Sequence, residues 1–375
     1  MHTIRPTRLE IDLDAICSNY RALRAAAGGS PALAVVKADA YGHGAVPVAR
    51  ALRAAGADMF AVALIEEGIE LREAGIEAPI LMLGATDGPG ALAAAEYGIT
   101  EVVFARDALL ALEGAAKSLG VHAKAHLKID TGMNRIGVRT EEELRDLLEA
   151  ARLCPHVEIT GAMTHCAAAD DPESDFTLEQ LARFDRMLAV VAEYGLRPER
   201  HAAASAAAVR YPQARYDRIR AGIALYGFDP THTLALRPAM RLVTRVSHVK
   251  RIAPGETVSY GRRFCAQRET DIATLPIGYA DGYRRAFSCR AQALVHGVRV
   301  PVVGSVCMDQ IMLDVTGLSV RPGDEVVLLG RQGGEEITSE ELAGLAKTIP
   351  YEIMTGISAR VPRVYPGQEG GEADG

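Results

Sequence analysis

The sequence predicts a (β/α)8 barrel of the TIM type followed by a mainly antiparallel β-domain. Through residue 224, short apolar runs alternate with Ala/Leu/Glu-rich segments of helical period. Such alternation builds parallel strands joined by crossover helices. Eight strands within about two hundred residues suit a closed barrel better than an open sheet. Near residue 235 the pattern changes to short β-branched runs separated by turn clusters, which is how antiparallel strands read.

Residues 9–13 alternate as a strand should, and Asp14 can cap a helix that runs through Arg24 and stops at Gly28-Gly29. Barrel strands are expected near 32–37, 58–64, 79–84, 99–105, 123–130, 157–165, 199–203 and 218–224. Helices fit near 45–55, 66–74, 88–97, 107–119, 141–152, 177–194 and 205–211. The seventh strand has the weakest basis, because Arg200-His201-Ala202-Ala203 has little β-propensity. Later strands are expected at 242–246, 292–295, 298–303, 311–315 and 325–329, with turns at Pro254-Gly255-Glu256 and Pro322-Gly323-Asp324. One helix, about Ser339 to Lys347, interrupts them. The expected division is a barrel over 1–235, whose first residues can pair with the second unit, a β-domain over 236–365 and a disordered tail over 366–375.

At 375 residues, nearly half of them hydrophobic, the chain suits two units. A net charge of −7 argues against nucleic-acid and membrane-surface partners. Six scattered cysteines without a CxxC pair indicate neither a disulfide framework nor a metal site. His122 and His126 are four apart, but in a period-2 segment that spacing does not make a chelating pair. Met1–Pro6 lacks an apolar signal core and no stretch is long enough to span a bilayer, so a cytosolic protein is expected.

Lys37 ends the apolar run Ala34-Val35-Val36 and precedes Ala38-Asp39-Ala40-Tyr41-Gly42-His43-Gly44. Desolvation at a buried strand end favours its neutral amine, the form that condenses with an aldehyde. Active sites of such barrels lie at the C-terminal strand ends. Lys128 falls near the end of the fifth strand, with Asp130 and Arg135 in the loop after it; His165 ends the sixth, Ser205 follows the seventh, and Arg220 to Ile223 lie on the eighth. Loops after the last two strands commonly hold phosphate, and Ser205 at a helix start, with Gly222 allowing close approach, suits that. Taken singly, each residue has a plainer reading: Lys37 snorkelling, Ser205 as an N-cap, Tyr279 and Tyr351 as packing tyrosines, Cys307-Met308 as core filling.

Together these strings resemble the alanine racemases. They include the Lys37 motif, His126-Leu127-Lys128-Ile129-Asp130-Thr131-Gly132-Met133-Asn134-Arg135-Ile136-Gly137, Thr164-His165, and Arg220-Ala221-Gly222-Ile223-Ala224-Leu225-Tyr226-Gly227. Val258-Ser259-Tyr260-Gly261, Pro276-Ile277-Gly278-Tyr279-Ala280-Asp281-Gly282, Cys307-Met308-Asp309 and Tyr351-Glu352-Ile353 follow in the family's order. The resemblance implies pyridoxal 5'-phosphate held as an aldimine on Lys37, L-alanine and D-alanine as substrates, and D-alanine supplied for peptidoglycan. It further implies a homodimer in which Tyr260 of the partner subunit is the opposing base. Arg220 would face the pyridine nitrogen and Arg135 the cofactor's phenolic oxygen and the substrate. Lys128 matches a lysine often carbamylated to hold that arginine, and His165 matches a partner of the tyrosine and arginine. Tyr41, Ser205, Gly222, Ile223 and Tyr351 match positions around the phosphate. Tyr279, Met308 and Asp309 match the substrate pocket and its mouth. One departure stands out: the family usually reads His-x-x-Asn-Ser, and this chain has His201-Ala202-Ala203-Ala204-Ser205.

Racemisation removes a proton from Cα on one face and returns one on the other, so two bases such as Lys37 and Tyr260 suit it. A phenol titrates near 10 and needs cationic or hydrogen-bonding neighbours to serve as a base. An arginine at the ring nitrogen leaves that nitrogen unprotonated, which argues against a decarboxylase, expected to use an acid there. A racemase of broader substrate range fits the same residues. A non-catalytic pyridoxal-phosphate carrier would resemble the barrel alone, and the β-domain with Tyr260 and Tyr279 speaks against it.

Overall fold

The computed structural model describes residues 4–367; of the expected tail, 368–375 lie outside the described residues. The chain forms two compact units. One comprises Asp14–Ala40 and Gly44–Arg237; the other comprises the residues up to Leu13, Tyr41–His43 and those from Pro238 onward.

The chain opens with β1 (Arg8–Ile11) and a helix, Leu13–Ala26. Asp14 sits in the first turn of that helix rather than at its cap, where its charge still favours the positive end of the helix dipole. The barrel unit then holds β2 (Ala32–Val35), β3 (Phe60–Val62), β4 (Ile80–Met82), β5 (Thr100–Val103), β6 (Ala123–Lys128), β7 (Val157–Met163), β8 (Glu199–His201) and β9 (Ile219–Ala221). These eight strands pair in parallel in the order β8-β7-β6-β5-β4-β3-β2-β9. The remaining seam is drawn together by the Arg220 amide donating to the Ala203 carbonyl at 2.9 Å and the Asp217 amide to the Arg200 carbonyl at 3.0 Å. β8 is only three residues long, in keeping with its poor β-propensity.

Strands β2 to β5 are buried along their whole length, as strands covered on both faces must be. The crossover helices bury one apolar stripe each. Helix Glu141–Arg152 buries Leu144, Leu147, Leu148 and Ala150, and the Thr140 hydroxyl caps it by accepting from the Glu143 amide at 3.1 Å.

The expected strand 32–37 stops at Val35. Ala38, Asp39, Ala40 and Tyr41 then take φ of 52°, 53°, 52° and 55°, and Gly42 takes 82°, so the chain after Lys37 makes a left-handed turn. Each non-glycine residue in that conformation costs about 1–2 kcal/mol. Propensity favours a right-handed turn here, and the difference has to come from tertiary contacts.

In the second unit lie β10 (Met240–Arg245), β11 (His248–Ile252), β12 (Thr257–Val258), β13 (Phe264–Cys265), β14 (Thr270–Leu275), β15 (Gln292–Val295), β16 (Val298–Val303), β17 (Ile311–Asp314), β18 (Glu325–Gln332), β19 (Glu335–Ile337) and β20 (Arg363–Val364). The main sheet runs β11-β14-β17-β16-β15-β18-β10-β1-β20, antiparallel except for the β1–β20 pair. β1 is thus a strand of this sheet. Three of its members, β11, β14 and β20, are not expected from the sequence. β11 is an edge strand whose Lys250 and Arg251 face solvent, so it lacks an apolar alternation. A second helix, Pro350–Thr355, was likewise not foreseen beside Ser339–Ala346. Ile252, Val258, Ala266, Ile272, Val303 and Met312 form one of its hydrophobic clusters, against which Phe264 and Cys307 pack.

Glu101 on β5 is an acid in the barrel wall, 1% exposed, accepting the Thr86 hydroxyl at 2.8 Å. Burial pushes its carboxyl above the usual range, with the Thr86 bond opposing. A native pKa above the unfolded one means that the folded state keeps the proton longer, so stability from this group falls as pH rises past the unfolded value of about 4.3. Glu101→Gln retains an acceptor for Thr86 and carries no charge. Its melting temperature should exceed that of the parent near neutral pH, with the gap closing towards about pH 4; calorimetry showing the same gap at both pH values would contradict this.

Candidate active site

At the end of β2 the half-buried Lys37 begins the left-handed turn. Burial pushes its amine below the ordinary lysine value, the Arg135 charge pushes the same way, Glu67 opposes, and Arg220 adds to the depression. Glu67 also organises the backbone here. Its Oε1 accepts the Ala38 amide at 2.6 Å, and its Oε2 accepts the Ala63 and Leu64 amides at 2.7 and 3.1 Å. Asp39 Oδ1 accepts the Ala45 amide at 2.7 Å and so ties the turn to the next helix.

Lys128, at the end of β6, is buried and donates to the Ile129 carbonyl at 3.2 Å. Burial and the Arg220 charge push its amine down to about 8, with Asp130 opposing and Arg135 assisting. Asp130 organises the loop that follows: Oδ1 accepts the Gly132 and Asn134 amides at 2.8 and 3.0 Å, and Oδ2 accepts the Arg135 amide at 3.0 Å. Burial alone would raise its carboxyl, but these bonds outweigh it and hold the group below the usual range. Arg135 is thereby fixed by its backbone while its side chain is exposed.

Arg220 on β9 is 2% exposed and has no carboxylate partner among the described residues. Nη1 donates to His201 Nδ1 at 3.0 Å and to the His201 carbonyl at 2.8 Å. Nη2 donates to the carbonyls of Thr164 and Ala202, both at 2.8 Å, and to His165 Nδ1 at 2.9 Å. Nε is the donor that remains for a ligand. Burial lowers the guanidinium to about 10 despite the opposing Cys166, and Arg135 lowers it further. Burial and Arg220 together hold His165 and His201 well below the ordinary imidazole value. His201 Nε2 lies 2.9 Å from His126 Nδ1. Nearby, the Ser205 hydroxyl accepts the amides of Gly222 at 3.2 Å and Ala224 at 3.4 Å, with Ile223 buried between them. Ala204 occupies the N-cap of helix Ser205–Arg210 and gives it no side-chain cap, which an asparagine would.

In the second unit, the rings of Tyr41 and Tyr351 lie 6.2 Å apart, and burial, with Tyr351 nearby, pushes the Tyr41 phenol upward. Tyr260 is 75% exposed. Its backbone is held all the same: Ser259 Oγ donates to the Ser305 carbonyl and Ser305 Oγ to the Tyr260 carbonyl, both at 2.7 Å. The Tyr279 and Ala280 amides donate to the Cys307 and Met308 carbonyls at 3.0 Å, so Tyr279 and Met308 are presented by one joined segment. A Cβ on Gly278 would overlap those same two carbonyl groups. The buried Asp281 locks the segment through a bidentate pair with Arg5, both contacts at 2.7 Å, while Asp309 pairs with Arg360 at 2.7 Å.

Family models of the alanine racemase N-terminal domain and C-terminal domain match residues 11–230 and 239–365. An alanine racemase of Symbiobacterium thermophilum is 50% identical over 97% of this chain and 98% of its own length. The chain belongs to the alanine racemase family. Among solved structures of the family, an alanine racemase from Bacillus anthracis with bound L-Ala-P superimposes with a TM-score of 0.93 at 38% identity, covering 97% of this chain and 96% of that one. A histidine racemase from Leuconostoc mesenteroides gives 0.90 at 31% identity, covering 96% and 98%. This family member thus has its barrel residues Lys37, Lys128, Arg135, His165, Ser205, Arg220, Gly222 and Ile223 on strand ends and adjoining loops of one unit, with Tyr41, Tyr260, Tyr279, Met308, Asp309 and Tyr351 in the other.

Four contributors escaped the sequence reading. His126 and His201 extend the Arg220 contacts into a chain, and Gln180, fully buried, donates to the His165 carbonyl at 3.0 Å and accepts the Ala167 amide at 2.8 Å. Glu67 is the fourth; it stands at the third position of a helix, but the N-cap there is Leu64, so the sequence lacks the Ser, Thr, Asp or Asn that marks a capping box. The imidazoles of His122 and His126 do not converge: His122 stacks on His156 at 5.7 Å. Glu67→Gln should cost about 1–3 kcal/mol, because one oxygen cannot serve three amides. It should also lower the Lys37 pKa further by removing the opposing charge. Thermal melts and the pH dependence of Lys37 modification by an amine reagent check both; an upward shift would refute the electrostatic assignment.

Proposed function

We propose that this protein interconverts L-alanine and D-alanine by proton transfer at Cα, with pyridoxal 5'-phosphate carried on Lys37, and that it works in the cytoplasm to supply D-alanine for peptidoglycan. The observation that carries this reading is a half-buried lysine at a barrel strand end, its amine depressed by burial and by nearby arginines, one of which, Arg220, is buried with no carboxylate partner among the described residues. A neutral amine there is the form that would hold the cofactor through its aldehyde carbon, with water as the leaving group. Arg220 suits the pyridine nitrogen, since its two terminal nitrogens are engaged within the barrel and Nε is left to donate. Ser205, Gly222 and Ile223 suit the phosphate, with Tyr41 and Tyr351 as further contributors. The cofactor, when bound, supplies the electron sink for negative charge at Cα.

Lys37 Nζ then takes or returns the Cα proton on one face, and Tyr260 Oη serves the other. Arg220 only donates, so it does not hand a proton to the ring nitrogen, which restrains transamination. His165 accepts from Arg220 and positions the phenol. Arg135 orients the substrate carboxylate, and Tyr279, Met308 and Asp309 line its approach. Lys128, with its amine near 8, has a neutral fraction that can add carbon dioxide; an N–C bond forms, one proton leaves, and the carbamate lies in the field of Arg220 and Arg135. A second reading, racemisation of larger amino acids, is favoured by the likeness to the histidine racemase structure. Chiral analysis of products from a panel of L-amino acids separates the two.

Tyr260, exposed in the single chain, suits a two-fold dimer in which each site joins Lys37 of one subunit to Tyr260 of the other. Lys37→Ala should abolish racemisation and the borohydride-reducible bond to the cofactor. Tyr260→Phe should suppress solvent deuterium exchange at Cα of one enantiomer and spare the other; equal residual exchange would contradict two bases. Mixing equal amounts of the two inactive variants should restore roughly a quarter of the parent activity, because half the dimers are mixed and each carries one intact site. No recovery, once mass spectrometry has verified heterodimers, would rule out the shared site.

A further inference from the structure

We infer that His126 is a positioning residue for this reaction: seated in the space that Gly161 leaves, it accepts the proton of His201 and so fixes the tautomer through which His201 receives Arg220. The inference rests on the reading of Arg220 as the partner of the cofactor's ring nitrogen.

An arginine can only donate. Arg220 Nη1 lies 3.0 Å from His201 Nδ1, so that nitrogen is the acceptor and the single proton of a neutral His201 sits on Nε2. His201 Nε2 lies 2.9 Å from His126 Nδ1, so His126 must accept there and keep its own proton on Nε2. Both rings are neutral for the same reason. Burial, together with the Arg218 and Arg220 charges, holds His126 at about 4, and His201 is pushed well down by burial and by Arg220. One tautomer at the outer ring therefore dictates the next, and the chain ends on the guanidinium.

The backbone is shaped for this ring. Between β6 and β7 the register shifts, with Ala125 facing Ile159 but His126 facing Gly161, so Thr160 is skipped. A Cβ on residue 161 would overlap the His126 ring at three of its atoms. A bulge and a glycine thus coincide at the one place where an imidazole of this strand turns to a neighbouring histidine. Were His126 unable to accept, the His201 proton could move to Nδ1. That N–H would confront the Arg220 N–H, and the guanidinium would lose an acceptor and shift Nε from its line.

The test uses the holoenzyme labelled with nitrogen-15 histidine, with His126 and His201 signals assigned by single substitution. Long-range proton–nitrogen correlation should show Nε2–H on both rings near neutral pH. His126→Leu removes the acceptor and should lower kcat/KM about 10- to 100-fold, the range seen when a partner that orients a ligating histidine is lost. It should also shift the pH dependence of the cofactor's visible absorption. His126→Asn, whose side-chain oxygen can replace Nδ1 as acceptor, should restore most of the loss. Should the leucine variant not fold, Gly161→Ala, which displaces the ring while leaving His126 in the chain, should give the same loss of kcat/KM and the same shift in absorption. Nδ1–H on His201 in the parent enzyme would overturn the inference, as would a leucine variant with unchanged absorption and kcat/KM. A purified protein that does not racemise amino acids would instead overturn the proposed function, and the tautomer measurement would still decide the positioning claim.

Discussion

A guanidinium buried in the barrel without a carboxylate sets the terms for the rest of the site. Removing such a charge from water costs several kcal/mol unless every donor is met. Arg220 meets that demand at Nη1 and Nη2 with three backbone carbonyls and two imidazoles, drawn from the ends of β7 and β8, and leaves Nε for a ligand. Those acceptors lie on two different strands, so the seam between β8 and β9 and the orientation of Arg220 are one structural problem. Burial is the main cause of the lowered pKa at Lys37, Lys128, His126, His165 and His201, and the Arg220 charge acts outward to deepen all five. A carboxylate beside it would cancel that field and take up the free Nε. Neutral acceptors preserve both.

A second cost falls immediately after Lys37. Four consecutive non-glycine residues in the left-handed region are strain of the kind found where function dictates geometry. Glu67 and Asp39 stabilise the turn by accepting amides at its start and just beyond it, and the Ala40 amide still reaches the Val36 carbonyl at 2.8 Å. The same Glu67 carboxylate tempers the depression of the Lys37 pKa. One side chain thus serves backbone geometry and electrostatics at once.

The β-unit solves a different problem, presenting side chains outward on rigid supports. Tyr260 hangs from a pair of serine-to-carbonyl bonds, and Tyr279 and Met308 share a segment clamped by the pairing of Arg5 with the buried Asp281. Their exposures of 75%, 40% and 53% leave large apolar surfaces open to solvent in the single chain. A phenol in water has no reason to act as a base near neutrality. The base role proposed for Tyr260 therefore calls for a second surface over it, in keeping with the shared site that we propose.

By itself the sequence determined the alternation of strands and helices, the switch to antiparallel strands near residue 235, and the placement of the candidate site residues at strand ends and in loops. Each of these follows from local period, turn residues or a contiguous motif such as the one around Lys37. The charged edge strand β11 and the helix Pro350–Thr355 were not legible, because exposed edges and short helices lack an apolar period. The handedness of the turn after Lys37 was decided by tertiary contacts, since every residue from Ala38 to Tyr41 prefers the opposite hand. The chain His126–His201–Arg220–His165 was also invisible in one dimension: its members come from β6, β8, β9 and the loop after β7, and only barrel closure brings their nitrogens within 3.0 Å. Sequence names the charged groups, but the fold decides which are dry and which acceptors meet them, and that decides their protonation.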